Sequence, residues 1–174
     1  MDQVPGCVNL YISGLAALDQ PDLLEQKGIT HILTILEFDY CDYEEFSHFR
    51  RLLILAEDSS GQNLLQFFAA TNAFIDEGLA AAGGAVLVHC AMGQSRSATV
   101  VCAYLMRRFG GLTAGQAVER LREARPVCEP NGAFVGQLEV FGRMLGAAGE
   151  GGARAVYLEW EGGRSGGGLV GVEG

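Results

Sequence analysis

Apolar positions come in short blocks separated by glycine and proline, and their spacing changes along the chain. Val8, Leu10 and Ile12 alternate with Asn9, Tyr11 and Ser13, which predicts a half-buried strand after a turn at Pro5-Gly6. Pro21 and then Asp22-Leu-Leu-Glu-Gln-Lys27 read as a short helix stopped by Gly28. Ile29 to Leu36 and Arg50 to Ala56 predict two more strands. Leu64, Phe68, Ile75 and Leu79 share one stripe of a long helix from Leu64 to Ala82, with Asn63 as its cap. Gly83-Gly84 ends that helix, and Ala85 to Val88 reads as a buried strand. Ala98 to Met106 is apolar nearly all round, which places a helix at the axis of the domain, with Cys102 in its packing.

After Gly110-Gly111, Thr113-Ala-Gly-Gln116 is a capping box opening a helix with Ala117, Val118 and Leu121 on its inner face. Glu129-Pro-Asn-Gly132 opens the last predicted helix, with Phe134, Leu138, Phe141 and Leu145 on one stripe. Strands alternating with helices predict an α/β fold: a mostly parallel central sheet flanked by helices. Phe38 to Phe46 is an acidic, aromatic loop, read as a solvated segment with aromatic anchors or the rim of a cleft. Residues 1–148 form the predicted domain. From Gly149 to Gly174 glycine dominates, which by composition is a flexible tail, and Tyr157, Leu158 and Trp160 are its candidate anchors onto the domain.

Composition narrows the classes. At 174 residues the chain has room for one full core. Hydrophobic content of 49% with 19% charged residues describes a globular chain rather than a disordered one. A formal net charge of −9 disfavours a broad contact with nucleic acid or acidic lipid. No apolar run reaches membrane-spanning length and no secretory leader is expected. Five cysteines, none in a Cys-x-x-Cys pair, argue against a disulfide scaffold and against a metal site. A cytoplasmic or nuclear, reducing setting is therefore expected.

The chemistry concentrates in His89-Cys90-Ala91-Met92-Gly93-Gln94-Ser95-Arg96-Ser97, between the buried strand and the axial helix. A short strand-to-helix turn points successive N–H groups inward, and the helix aims its positive end at the same place. Arg96 adds a planar fork matched to two phosphate oxygens. Cys90 lies at the floor of this field, so Ala91, Met92, Gly93, Gln94, Ser95 and Arg96 form a phosphate-sized cradle around a nucleophile. Gly93 fits a position of unusual backbone angle or close approach. Ser97 either donates to the thiolate or helps a later hydrolysis step, or it is a helix-start hydroxyl. His89 either fixes the loop or is a buried core histidine. Met92 either walls the pocket or packs inward.

This string resembles the signature of the cysteine-dependent protein phosphatases, and its surroundings resemble the dual-specificity branch. That resemblance implies the dual-specificity phosphatase fold and a two-step reaction: Cys90 attacks phosphorus, and water hydrolyses the phosphocysteine. It also implies a carboxylic acid upstream. Asp58, 32 positions before Cys90 and followed at a fixed offset by Asn63-Leu64, is similar to the family's general acid. Asn131 is similar to the family's asparagine that supports the phosphate loop. No cofactor is implied. No Tyr-bearing recognition loop precedes the catalytic strand, so a shallow pocket is expected to admit phosphoserine and phosphothreonine as well as phosphotyrosine. The positions Ala91, Met92, Gln94 and Ser95 carry no charge, unlike the lysine-bearing loops of phosphoinositide phosphatases, which leaves a lipid headgroup or an RNA end as the weaker alternative substrate.

Val127 to Asn131, Leu138 to Met144 and Tyr157-Leu-Glu-Trp160 are further similar to a fungal-type subfamily that bears a C-terminal zinc-binding domain and acts in assembly of the large ribosomal subunit. No cysteine follows Cys128, so that zinc domain is missing from this sequence. The partners this implies are a phosphoprotein substrate and a pre-ribosomal particle. An alternative in which the domain chiefly binds, with catalysis secondary, stays open.

Overall fold

The computed structural model describes residues 1–38 and 46–165. Strands β1 (Asp2–Gln3), β2 (Leu10–Gly14), β3 (His31–Leu36), β4 (Arg50–Leu55) and β5 (Val86–Cys90) form one sheet in the order β1-β2-β5-β3-β4. β1 is antiparallel to β2, and the other pairings are parallel. The helices are α1 (Pro21–Gln26), α2 (Phe68–Ala80), α3 (Arg96–Phe109), α4 (Ala114–Arg122), α5 (Gly132–Gly146) and α6 (Gly149–Ser165). This is the expected mostly parallel sheet flanked by helices.

Side-chain alternation sorts the strands between two cores. Leu10, Ile12, Leu33, Ile35, Val86 and Val88 face the larger core, built with α2 to α5. Tyr11, Ile32 and Leu87 face a smaller one with Leu24 of α1, Phe46 and Ile29. The sheet is therefore covered on both sides, as parallel sheets are. β2 corrects the half-buried strand expected there. Leu10 and Ile12 pack into the larger core and Tyr11 into the smaller one, so both faces are buried, and Val8 lies outside the strand, 75% exposed.

α3 is the axis that its apolar sequence predicts, buried from Arg96 to Met106. Cys102 sits in the core, and burial pushes its thiol pKa upward. α2 begins later than its stripe suggests. Gln137 Oε1 accepts from both Leu64 N (2.7 Å) and Leu65 N (3.0 Å), and a 3₁₀ turn over Leu65–Phe67 precedes the helix. Thr113 and Gln116 form the expected capping box. On α5, Leu145 departs from the predicted inner stripe and is 43% exposed, while the polar Gln137 is buried.

The glycine-rich segment from Gly149 is the main surprise. Residues 149–165 form α6, packed along α5. Glycines in a helix interior each cost about 1 kcal/mol relative to alanine, so packing rather than propensity holds it. Val156, Tyr157 and Trp160 lie against the larger core, but Leu158 is 51% exposed and is not an anchor. Residues 166–174 and the acidic stretch from Asp39 to Glu45 lie outside the described residues. Among the described residues no helix is long and apolar enough to cross a membrane.

Candidate active site

β5 ends on Cys90 at the C-terminal edge of the sheet, and α3 starts at Arg96. Between them the chain turns under tight constraint. Gly93 has φ +69°, and a Cβ there would lie 2.4 Å from Ser13 C and 2.6 Å from Gly14 N. Both the left-handed angle and the close approach to β2 require glycine. Leu15 N donates to Ala91 O at 2.9 Å, fastening the loop to the strand beside it.

Cys90 is buried at the floor of this turn. Its Sγ accepts from Gly93 N at 3.2 Å and lies 3.2 Å from Ser97 Oγ. Both groups can donate to a sulfur anion, the nucleophilic form of cysteine. The Arg96 guanidinium is buried beside it. Its Nη1 ion-pairs with Glu37 Oε2 at 2.8 Å and donates to Ala56 O at 3.0 Å. Its Nε has no hydrogen-bond partner among the described residues. A buried donor without an acceptor is expensive, and an oxyanion in the cradle is the acceptor this geometry lacks. The hydrogen bond from Arg96 holds the Glu37 carboxyl below its usual range.

Asp58 follows β4 across the rim. Its Oδ1 accepts from Ser95 Oγ at 2.7 Å and from Asn131 Nδ2 at 2.8 Å. Asn131 also caps α5 through Phe134 N at 3.0 Å, and its own N–H donates to Ser95 Oγ at 3.1 Å. Asn131 thus reaches the cradle through Ser95 and reaches Asp58 directly. His89 is fully buried with Nε2 2.8 Å from Thr34 Oγ1. Burial pushes its pKa down to about 4, against a smaller opposing pull from the Cys90 main chain, and Nδ1 has no hydrogen-bond partner among the described residues. Met92 does not pack inward: it is 67% exposed at the rim. The resulting cleft, about 410 Å³, is lined by Asp58, Cys90, Met92, Arg96, Glu129 and Asn131.

Three supporting residues escape a reading of sequence alone. Glu37 sits at the end of β3 with no motif around it. Arg125 Nε and Nη2 donate to Gly93 O (2.8 Å) and Met92 O (3.0 Å), while its Nη1 pairs with Asp2 at 2.6 Å. Glu129 N donates to Gln94 O at 2.8 Å beside it. Turning these carbonyls outward leaves the loop's N–H groups facing the cradle. Gln137 holds the segment after Asp58 through Leu64 N, Leu65 N and Gln62 O. The one available signal was its polar side chain on an apolar helical stripe.

A mostly parallel sheet that ends in a cysteine–arginine oxyanion cradle, with a carboxylate across its rim, matches known proteins closely. The chain belongs to the dual specificity phosphatases: residues 10–144 match the family described as dual specificity phosphatase, catalytic domain. It is 36% identical over 140 residues to dual specificity protein phosphatase 1 of Arabidopsis thaliana, covering 79% of this chain and 69% of that protein. It is 32% identical over 155 residues to tyrosine-protein phosphatase YVH1 of Saccharomyces cerevisiae, covering 79% of this chain but only 42% of that one. The crystal structure of the Yvh1 phosphatase domain from Chaetomium thermophilum superposes with a TM-score of 0.72 at 32% identity, covering 80% of this chain and 94% of that chain. As a member of this family the chain is a protein phosphatase, and a phosphocysteine intermediate is general to that family.

Proposed function

We propose that this domain hydrolyses phosphotyrosine and phosphoserine or phosphothreonine in proteins, with Cys90 as nucleophile. The carrying observation is the buried Nε of Arg96, without a hydrogen-bond partner among the described residues, beside a Cys90 sulfur that already accepts from Gly93 N. A phosphoryl group supplies the missing acceptor and puts phosphorus in line with Sγ. In the first step the Sγ–P bond forms, the P–O bond to the leaving group breaks, and Asp58 gives its proton to the departing oxygen. Both hydrogen bonds to Asp58 end on Oδ1, so Oδ2 is the oxygen assigned to that proton. In the second step Asp58 takes a proton from water, water oxygen bonds to phosphorus, and Cys90 leaves as thiolate with Ser97 donating to it. Inorganic phosphate is released.

The exposed Met92 and the carboxylate of Glu129 at the cleft support a phosphoprotein over a phosphoinositide or an RNA end, whose further negative charge they would repel. We further propose, on the resemblance of Val127 to Asn131, Leu138 to Met144 and Tyr157-Leu-Glu-Trp160 to the fungal-type subfamily, a role in ribosome assembly and a cytoplasmic or nuclear location. Hydrolysis of a small aryl phosphate across pH, for the wild type, Cys90→Ser and Asp58→Asn, tests the chemistry. The expected pattern is turnover by the wild type, none by Cys90→Ser, and slow turnover by Asp58→Asn without the limb that reports a protonated acid. Turnover by Cys90→Ser at the wild-type rate overturns it.

A further inference from the structure

The loop that delivers Asp58 is exposed along most of its length, and α6 closes on its outer side. Arg164 Nη2 donates to Gly61 O at 2.6 Å, and Asn63 Nδ2 donates to Tyr157 Oη at 3.1 Å. Tyr157 is itself fixed: its hydroxyl donates to Glu161 Oε1 at 2.9 Å, one turn along the same helix, and its ring lies 5.9 Å from that of Trp160. The Arg164 guanidinium stacks 4.7 Å from the centre of the Trp160 ring. Both tethers fall within the loop rather than on the flanking strand or helix.

The loop is also cross-braced, so a restraint at residues 61–63 is passed toward Asp58. Gln62 Oε1 accepts from Glu57 N at 3.0 Å, and Gln62 Nε2 donates to Asn63 O at 3.2 Å. On its inner side Gln137 Nε2 donates to Gln62 O at 2.7 Å. Without α6 the loop keeps its inner tethers, Gln137 below and Asn131 and Ser95 at the carboxylate, and loses those on its outer side. A proton donor must sit within hydrogen-bond reach of the leaving oxygen, and displacement by about 1 Å can cost on the order of a hundredfold in rate.

We propose that α6 is part of the catalytic unit, with Tyr157 and Arg164 acting as positioning residues for the general acid. This rests on the assignment of Asp58 as that acid. The glycine-rich C-terminal segment then sets how readily the domain expels poor leaving groups. Whatever binds or displaces α6 changes proton donation without touching the cradle.

The leaving group is the readout, because a merely structural role would lower every substrate alike. An activated, fluorinated aryl phosphate departs without help, whereas phenyl phosphate needs the acid. For Arg164→Ala, Tyr157→Phe and the double variant, kcat/KM on phenyl phosphate is expected to fall, by about tenfold in the double variant. On the activated ester it should change less than about twofold. Arg164→Lys, which keeps a donor, should recover part of the loss. Arg164 is exposed, so its replacement leaves the fold intact, and inorganic phosphate inhibition should be unchanged. Asp58→Asn is measured alongside. If Asp58→Asn loses both substrates equally, the acid assignment fails and the clamp falls with it. If Asp58→Asn is selective while Arg164→Ala and the double variant are not, or lose nothing, the clamp alone is overturned.

Discussion

Arg96 and Glu37 meet at 2.8 Å across the top of the sheet, and the carboxylate reaches the guanidinium from the end of β3 rather than from the phosphate loop. The contact occupies Nη1, which also donates to Ala56 O at 3.0 Å, and turns the Nε edge of the fork away from protein acceptors. Glu37 therefore orients the anion-binding group without belonging to its motif. Glu37→Gln keeps the shape and removes the charge. Weaker phosphate binding is expected, with KM for an aryl phosphate rising about tenfold and kcat less affected. Inhibition by inorganic phosphate or tungstate should weaken in parallel, and unchanged inhibition would sink the assignment. The pair is not a pH switch near neutrality. Because the Glu37 carboxyl is held below its ordinary range, its contribution is present above that range and is lost only as pH falls through the lowered value.

Arg125 reaches three acceptors with one side chain, joining β1 to the outer face of the cradle. Removing it strands two loop carbonyls and the Asp2 carboxylate. Arg125→Ala is expected to destabilise the fold by about 3 kcal/mol, read as a lower urea midpoint. Arg125→Lys cannot match the fork geometry and should recover less than half of that loss. The same variants should lose kcat/KM on activated and poor leaving groups alike, since the cradle and not the loop that carries Asp58 is disturbed. A stable, fully active Arg125→Ala would show the brace to be dispensable.

The cradle was legible in the sequence because its residues are contiguous. A strand, a glycine at the one angle that needs it, and a helix start lie within a dozen positions. Asp58 was singled out only through the family resemblance, whose offset to Asn63-Leu64 is local, and the structure places it in the cleft with Cys90. Glu37, Arg125 and Gln137 were not, because each acts on the cradle or the loop that carries Asp58 from a different element, and only the tertiary fold brings them there. The axial helix could be read from its all-round apolar pattern, whereas β2 could not be read fully. Alternation at Val8, Leu10 and Ile12 described one face, and burial of the other depends on the second core, with Leu24, Ile29 and Phe46, that packs over Tyr11. α6 ran against composition for a physical reason. Propensity opposes a helix rich in glycine, and what holds it is the packing of Val156, Tyr157 and Trp160 against a core assembled from distant parts of the chain.

His89 makes stability sensitive to mild acid. Its pKa is about 4 in the folded chain against 6.5 for a free imidazole, and burial is the main cause. Below 6.5 the unfolded chain takes up a proton that the folded chain refuses. Stability therefore falls as pH drops from about 6.5 toward 4, by up to about 3 kcal/mol from this one group. His89→Gln, which cannot titrate, should be less stable than the wild type at pH 7.5, with the gap narrowing by pH 4.5. Urea midpoints at the two pH values decide it. A gap that stays constant would mean that His89 is not the titrating group.

Asn72 is a different kind of buried polar residue, in α2 and 2% exposed, with neither amide atom hydrogen-bonded among the described residues. Burying an amide without partners costs about 1–3 kcal/mol. Asn72 lies neither in the cradle nor on the loop that carries Asp58. Leucine has a similar volume and no polar atoms, so Asn72→Leu should stabilise the domain by about 1–2 kcal/mol while leaving aryl phosphate turnover unchanged. The checks are an unfolding curve in urea and a single kcat/KM. A lower midpoint in the leucine variant would show that the site holds a compensating partner such as a buried water, and Asn72→Ala would then be more damaging still.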